Sequence, residues 1–101
     1  MNQKLVSVKI STIELFIKFN INFFYKKFNE NSSDELFPVL ASGIVQGIVS
    51  QLEILLYESG HNPAEYWESD NGRQIKRIVR KFKSYCRFKM LHHRFPKEKL
   101  N

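Results

Sequence analysis

Apolar residues recur at helical spacing along most of this chain, and the pattern is clearest in its last third. We placed the segment from Arg73 to Arg94 on a helix at 100° per residue. One arc is apolar and consists of Ile75, Ile78, Val79, Phe82, Tyr85, Cys86 and Met90. The opposite arc, about 100° wide, holds all five arginines of the protein and is bordered by Lys76 and Lys83. This segregation predicts a long amphipathic helix with a basic outer face, which Pro96 ends.

The middle of the chain predicts a second helix, which covers Leu36 to Leu56. Ser33 or Asp34 can cap its start, Pro38 falls in its first turn, and Gly60 ends it. Its polar positions recur at helical spacing and form a stripe of Ser42, Gln46, Ser50 and Glu53. A helix surrounded by lipid has no reason to keep such a stripe, so we expect a buried core helix and no membrane span.

Side chains of this second helix should lie in the core, and we expect Ile48, Leu52 and Leu55 to be buried. Gly43 and Gly47 form a GxxxG pattern, which allows another helix to approach closely.

A short helical turn is predicted over 63–69, between the second helix and the basic helix. Asn62 can cap it, Pro63 stands at its first position and Glu65 follows. The sequence Asp70-Asn71-Gly72 is typical of a break, so we expect it to separate this turn from the basic helix.

The N-terminal third fits two structures. Residues 1–11 alternate weakly between apolar and polar, as in a short strand. Over 12–28 a helix would gather Ile13, Ile17, Ile21, Phe24 and Phe28 into one stripe. Ser11 with Glu14 fits a capping box, and Glu14 and Lys18 form a favourable helical pair. The run also alternates as a strand would, but no turn divides it into a hairpin, so we expect a helix over 12–28.

Together these patterns predict an all-α fold of three main helices with one short extra helical turn. The aromatic N-terminal segment is expected to pack on the second helix. The alternative is an α+β fold, in which an N-terminal β-hairpin packs on two helices. A chain of 101 residues is large enough for one modest core, so we expect a single domain over 1–101 with a frayed tail at 96–101.

The net charge of +6 hides a strong asymmetry along the chain. Residues 1–30 carry five Lys and two Glu, and residues 31–72 carry seven Asp or Glu and no Lys or Arg. Residues 73–101 carry eleven Lys or Arg and one Glu. A basic end of this kind indicates a polyanionic partner, unless the acidic middle segment pairs with it internally.

Candidate chemistry is sparse. Cys86 is the single cysteine, which excludes an internal disulfide and favours a reducing, cytoplasmic setting; the N-terminus lacks the pattern of a secretory signal. His61 is isolated, and the adjacent His92 and His93 would point about 100° apart on a helix, so we expect no metal site and no cofactor. Phosphate-binding loops, nucleophile elbows and paired carboxylates are absent from the sequence, which predicts a non-enzymatic protein.

The favoured hypothesis is therefore a small regulatory protein that binds DNA or RNA. Guanidinium groups bind phosphates bidentately, so the predicted contacts are Arg73, Lys76, Arg77, Arg80, Lys83, Arg87 and Arg94. The alternative is a protein-binding adaptor or inhibitor of the phage or mobile-element type. Such a protein would dock its basic helix on an acidic or nucleic-acid-binding groove of its partner. A homodimer remains open in either case.

A third hypothesis concerns Arg87 and His92, which are separated by four residues. This spacing resembles the R-x4-H motif of the HEPN family of ribonucleases. The resemblance covers six residues, and Phe88 stands where that family often has a polar residue. It implies a dimeric ribonuclease in which the Arg and the His act on RNA across the dimer interface.

Overall fold

The computed structural model describes the backbone of residues 3–30 and 36–94, and the side chains of 9–30 and 36–91. Over these ranges the protein consists of four helices: α1 (Gln3–Glu30), α2 (Phe37–Glu58), α3 (Pro63–Glu68) and α4 (Asp70–Arg94). The all-α prediction is confirmed for the described residues, and the alternative with an N-terminal β-hairpin is wrong. The tail predicted to fray, 96–101, lies outside the described residues.

The three long helices pack around one core. Its buried residues are Ile17, Ile21, Phe24 and Phe28 from α1, Ala41, Val45, Val49, Leu52 and Leu56 from α2, and Ile75, Val79, Phe82 and Cys86 from α4. Phe82 is fully buried, and its ring centroid lies 6.0 Å from that of Phe24 and 5.3 Å from that of Tyr25. Phe37 at the start of α2 contacts the rings of Phe24 and Phe28 edge to face. The predicted packing of the aromatic N-terminal segment on the second helix is thus confirmed.

Of the three residues of α2 that were predicted to be buried, Leu52 is fully buried. Ile48 and Leu55 are half-buried. Both lie about 40–60° around the helix from Leu52, so they reach only the edge of the core.

The N-terminal helix begins earlier than the sequence predicted. Because α1 starts at Gln3, the strand expected over 1–11 is wrong for residues 3–11. Ile10 and Ile13 pack against the core and so extend the apolar stripe toward the N-terminus. Ser11 is therefore inside the helix, and the predicted capping box is wrong. Glu14 is buried and accepts a hydrogen bond from the Tyr66 hydroxyl at 2.5 Å.

The end of α2 and the start of α3 lie at the residues that the sequence predicted. Gly60 has a φ of 82°, a left-handed conformation that suits glycine after a helix. The Asn62 side chain caps α3 by accepting a hydrogen bond from the Ala64 backbone N–H at 2.9 Å. The residues predicted to cap α2, Ser33 and Asp34, lie outside the described residues.

The break predicted at Asp70-Asn71-Gly72 is wrong, because these residues form the first turn of α4. Ser69 alone separates the two helices. Its hydroxyl donates to the Tyr66 carbonyl at 2.6 Å and accepts from the Gly72 N–H at 3.1 Å. Its carbonyl accepts from the Arg73 N–H at 2.8 Å. A Cβ at Gly72 would lie 1.8 Å from the Tyr66 carbonyl oxygen, so only glycine permits this close approach of α3 to α4.

The GxxxG pattern does not mark a helix contact within the described chain. Gly43 and Gly47 are both exposed, and a Cβ at either position would meet nothing within 4 Å. The close approach predicted there is therefore wrong, and both glycines lie on the outer surface of α2.

Candidate nucleic-acid interface

The predicted basic residues lie together on the outer side of α4. Six of them are exposed and define what we call the basic face: Arg73, Lys76, Arg77, Arg80, Lys83 and Arg87. The apolar arc on the other side of α4 supplies Ile75, Val79, Phe82 and Cys86 to the core, as predicted. Arg94 ends α4, and its side chain lies outside the described residues. From Arg73 to Arg87 the basic face runs about 21 Å along the helix axis.

The basic face is not neutralised by the carboxylates that the structure describes. Within residues 9–30 and 36–91, ion pairing is confined to Lys27 and Glu30 on α1, at 3.3 Å. Glu53, in the acidic middle of the chain, instead accepts a hydrogen bond from the Trp67 indole N–H at 3.1 Å. Lys83 donates to the neutral side chain of Gln46 at 2.6 Å. The described part of the chain thus gives no support to internal neutralisation.

A groove of about 460 Å³ lies beside this face and is lined by residues of α2, α3 and α4. We call it the α2–α4 groove. Val49 and Val79 contribute apolar surface, and Trp67 contributes an aromatic ring. Four cations of the basic face also line it: Lys76, Arg80, Lys83 and Arg87. A second groove of about 700 Å³ lies between α1 and α4, where Lys18 and Lys81 accompany Tyr25 and Tyr85.

Trp67 was not among the predicted site residues. It is half-buried on α3, a helix without a buried residue, and its ring centroid lies 4.9 Å from that of Tyr66. Its only signal in the sequence was its position shortly before the basic segment. A lone tryptophan is also typical of a core or interface anchor, so the sequence could not indicate that Trp67 lies beside the cations.

Hydrogen bonds from two neighbouring aromatic residues hold α3 against the long helices. The Tyr66 hydroxyl donates to Glu14 on α1, and the Trp67 indole donates to Glu53 on α2. Burial, followed by the hydrogen bond to Glu14, raises the pKa of Tyr66 well above its ordinary value. Tyr66 therefore remains a neutral donor at physiological pH. The position of Trp67 beside the basic face is set by contacts with two other helices.

The remaining candidate groups are the cysteine, the histidines and the pair Arg87 and His92. Among the described residues, no group of three or more His, Cys, Asp or Glu side chains is arranged to hold a metal ion. Cys86 is buried, and burial raises the pKa of its thiol to about 11. Arg87 and His92 both lie on α4, but the His92 and His93 side chains fall outside the described residues.

An exposed apolar surface covers the outer sides of α1 and α2. We define the outer apolar face as Leu15, Phe16, Phe19 and Phe23 of α1 with Leu40 and Ile44 of α2; all six are exposed. Phe19 is 66% exposed and Leu40 is 59% exposed. Large exposed apolar patches are rare on monomeric soluble proteins, so these six residues are candidates for a contact surface.

Part of the polar stripe of α2 lies against the neighbouring helices. Gln46 and Glu53 face α4 and α3, where they bond to Lys83 and Trp67, while Leu40 and Ile44 point outward. The helix supplies five residues to the core, as expected of a core helix, but its outer side carries exposed apolar residues. By length and composition α2 is apolar enough to cross a membrane, and 28% of its candidate span is buried.

The arrangement as a whole suits the binding of an extended anion. Cations stand in a row along one helix, and an aromatic ring lies in the groove beside them. No protein-family model, curated protein or solved structure matches this chain.

Proposed function

We propose that this protein is a small non-enzymatic regulatory protein that binds nucleic acid through the basic face of α4. The observation that carries the proposal is the row of six exposed cations without a carboxylate partner among the described residues. Like charges three and four residues apart on a helix destabilise it by a few tenths of a kcal/mol per pair. A chain of phosphates removes that repulsion and accepts bidentate hydrogen bonds from the arginines.

The test is the salt dependence of binding. Fluorescently labelled single-stranded and duplex oligonucleotides are titrated with the full chain at several salt concentrations, and anisotropy is measured. Four to six phosphate contacts predict a slope of about −3 to −5 in a plot of log K against log salt. The slope should become about one unit less negative with each of the substitutions Arg77→Gln, Arg80→Gln and Arg87→Gln, with little effect on sequence preference.

A matched control is Lys26→Gln, which removes one exposed positive charge from α1. It should leave the slope unchanged, because α1 lies outside the basic face. Each arginine variant should also keep its stability to within about 1 kcal/mol, since exposed charges contribute little to folding. If neither oligonucleotide binds at about 50 mM salt, the proposal is wrong, and a protein partner of the basic face becomes the better hypothesis.

We also propose that the protein forms a homodimer through the outer apolar face. Phe16, Phe19 and Phe23 are 53%, 66% and 44% exposed, which corresponds to about 300 Å² of aromatic surface. Leu15, Leu40 and Ile44 roughly double this area. The sum approaches the ~800 Å² that each partner contributes to an interface of standard size.

Sedimentation equilibrium over about 1–100 µM protein tests this assembly. We expect a dimer that Phe19→Ser and Leu40→Ser weaken, because each removes an apolar contact worth about 1.5–3 kcal/mol when buried. The control is Leu91→Ser, which changes an exposed apolar residue of α4. A monomer at about 100 µM would contradict the proposal. Partition of the protein into detergent micelles would instead indicate that α2 contacts a membrane.

A further inference from the structure

The α2–α4 groove combines two kinds of surface that recognise different parts of a nucleotide. Lys76, Arg80, Lys83 and Arg87 follow one another at intervals of three and four residues, and all four line the groove. Trp67 lines the same groove from α3. Its volume of about 460 Å³ is in the range of clefts that hold small organic ligands. The groove is therefore large enough to admit a planar base together with its phosphate.

Trp67 is held in a manner that suits stacking. The indole N–H is occupied by the Glu53 carboxylate at 3.1 Å, so it is not available for a ligand, and the half-buried ring, packed against the core, lines the groove. The residue preceding it, Tyr66, is tied to Glu14. A ring fixed before binding loses little conformational entropy when a base stacks on it, which favours affinity. Two carboxylates near Trp67 are unfavourable for an anion. Glu53 accepts the hydrogen bond at the indole edge, and Glu68 lines an adjoining cavity with Trp67, Lys76 and Arg80.

We infer that the α2–α4 groove binds single-stranded nucleic acid, with a base stacked on Trp67 and the neighbouring phosphates on the four cations. The inference rests on the proposed function and deepens it by naming the strand. Bases in a duplex are already stacked on each other, so their faces cannot reach an aromatic side chain. Unpaired bases can, and every base has a π-face, so the contact tolerates any sequence. Phosphate contacts alone would not distinguish the two forms in this way.

The sole tryptophan of the chain gives a direct signal, because Trp67 is the only source of indole emission. The full chain is titrated with a 12-nucleotide oligothymidylate and with a duplex of the same length at about 50 mM salt. Emission of Trp67 and anisotropy of a label on the oligonucleotide are recorded in parallel. We expect the single strand to bind more tightly than the duplex and to quench the emission, as stacking on indole does.

Two pairs of substitutions separate stacking from charge. Trp67→Leu removes the aromatic face and should weaken single-strand binding about 5- to 100-fold, while the salt slope stays unchanged. Trp67→Phe keeps a smaller ring and should retain part of the affinity, and circular dichroism verifies that both variants fold. Lys76→Gln and Arg80→Gln should instead change the salt dependence. Each should make the slope about one unit less negative, while quenching of Trp67 emission persists.

Three outcomes would overturn the inference, and the third differs from the first two because the proposed function fails with it. If the single strand binds without quenching and both Trp67 variants keep the wild-type affinity, stacking is wrong although phosphate binding by α4 stands. Equal affinity for single strand and duplex leads to the same conclusion. If neither oligonucleotide binds but vesicles of anionic phosphatidylglycerol shift the Trp67 emission, the groove faces a lipid surface and the proposed function fails as well.

Discussion

Replacement of Gly72 by alanine should destabilise this protein, although alanine is normally favoured in a helix. Gly72 lies in the first turn of α4, where a Cβ would stand 1.8 Å from the Tyr66 carbonyl oxygen. It would also stand 2.7 Å from the Tyr66 carbonyl carbon and 2.9 Å from the Trp67 Cα. All three atoms belong to the backbone of α3, so no side-chain rotation can relieve the overlap.

The size of the effect follows from opposing terms. Non-bonded atoms pack at about 3.5–4.0 Å, so α3 and α4 must separate by more than 1 Å. Overpacking of this kind costs about 1–3 kcal/mol. Weakening the hydrogen bonds around Ser69 adds about 1 kcal/mol, and the helix preference of alanine returns about 1 kcal/mol. We therefore expect a net loss of about 1–3 kcal/mol in the free energy of unfolding.

Two other glycines supply matched controls within the same protein. Gly43 and Gly47 lie in α2, and a Cβ at either meets nothing within 4 Å. Gly43→Ala and Gly47→Ala should each stabilise the protein by up to about 1 kcal/mol through helix propensity alone. The same chemical change is thus predicted to have opposite signs at different positions, for a steric reason that the structure specifies.

The assay is equilibrium unfolding in urea, followed by circular dichroism for total helix and by Trp67 emission for α3. In Gly72→Ala we expect a lower midpoint, with Trp67 emission changing in less urea than the circular dichroism signal. If Gly72→Ala is as stable as the unchanged protein within about 0.5 kcal/mol and its native emission is unaltered, the close packing of α3 on α4 is wrong.

Further predictions concern the core, two titrating groups and catalysis. Leu52→Ala should cost about 2–5 kcal/mol in urea unfolding, because Leu52 is fully buried; a loss below about 0.5 kcal/mol would contradict its place in the core. Since burial raises the pKa of Cys86 from 9.0 to about 11, a disulfide reagent at pH 8 should label the folded protein at least about 100-fold more slowly than the unfolded chain. The pKa of Tyr66 is raised above 10.0, so stability should be retained below pH 10 and fall as pH rises further; Tyr66→Phe should reduce that alkaline loss, as urea midpoints at several pH values would show. Purified protein should not cleave single-stranded RNA in the presence of a chelator; cleavage that His92→Ala abolishes would support a ribonuclease instead.

Some of the structure was determined by the sequence alone. The two arcs of α4 differ so strongly in polarity that only one orientation buries Phe82 and exposes Arg80. The start of α3 was equally clear in the sequence, because Asn62 supplies a side-chain acceptor and Pro63 needs no hydrogen-bond acceptor for its nitrogen. These features depend on neighbours within a few residues, which is why the pattern predicted them correctly.

Local patterns were misleading where a distant contact decided the outcome. Asp70-Asn71-Gly72 has the composition of a turn, yet the hydroxyl of Ser69 caps α4 and the close passage of α3 requires Gly72. Ser11 fits a helix cap, yet the apolar stripe continues past it and draws the earlier residues into α1.

The two candidate contact surfaces depended on tertiary structure most of all. α2 is apolar on more than one side, so its own pattern could not specify which side faces the core. One apolar side of α2 packs in the core against α1 and α4. Gln46 and Glu53 accept hydrogen bonds from Lys83 and Trp67 on the side toward α4 and α3, and Leu40 and Ile44 remain outside. The same bond to Glu53 places Trp67 beside the cations of α4. Helical periodicity orders side chains around a single axis, but the position of one helix against another is set by contacts between residues far apart in the chain.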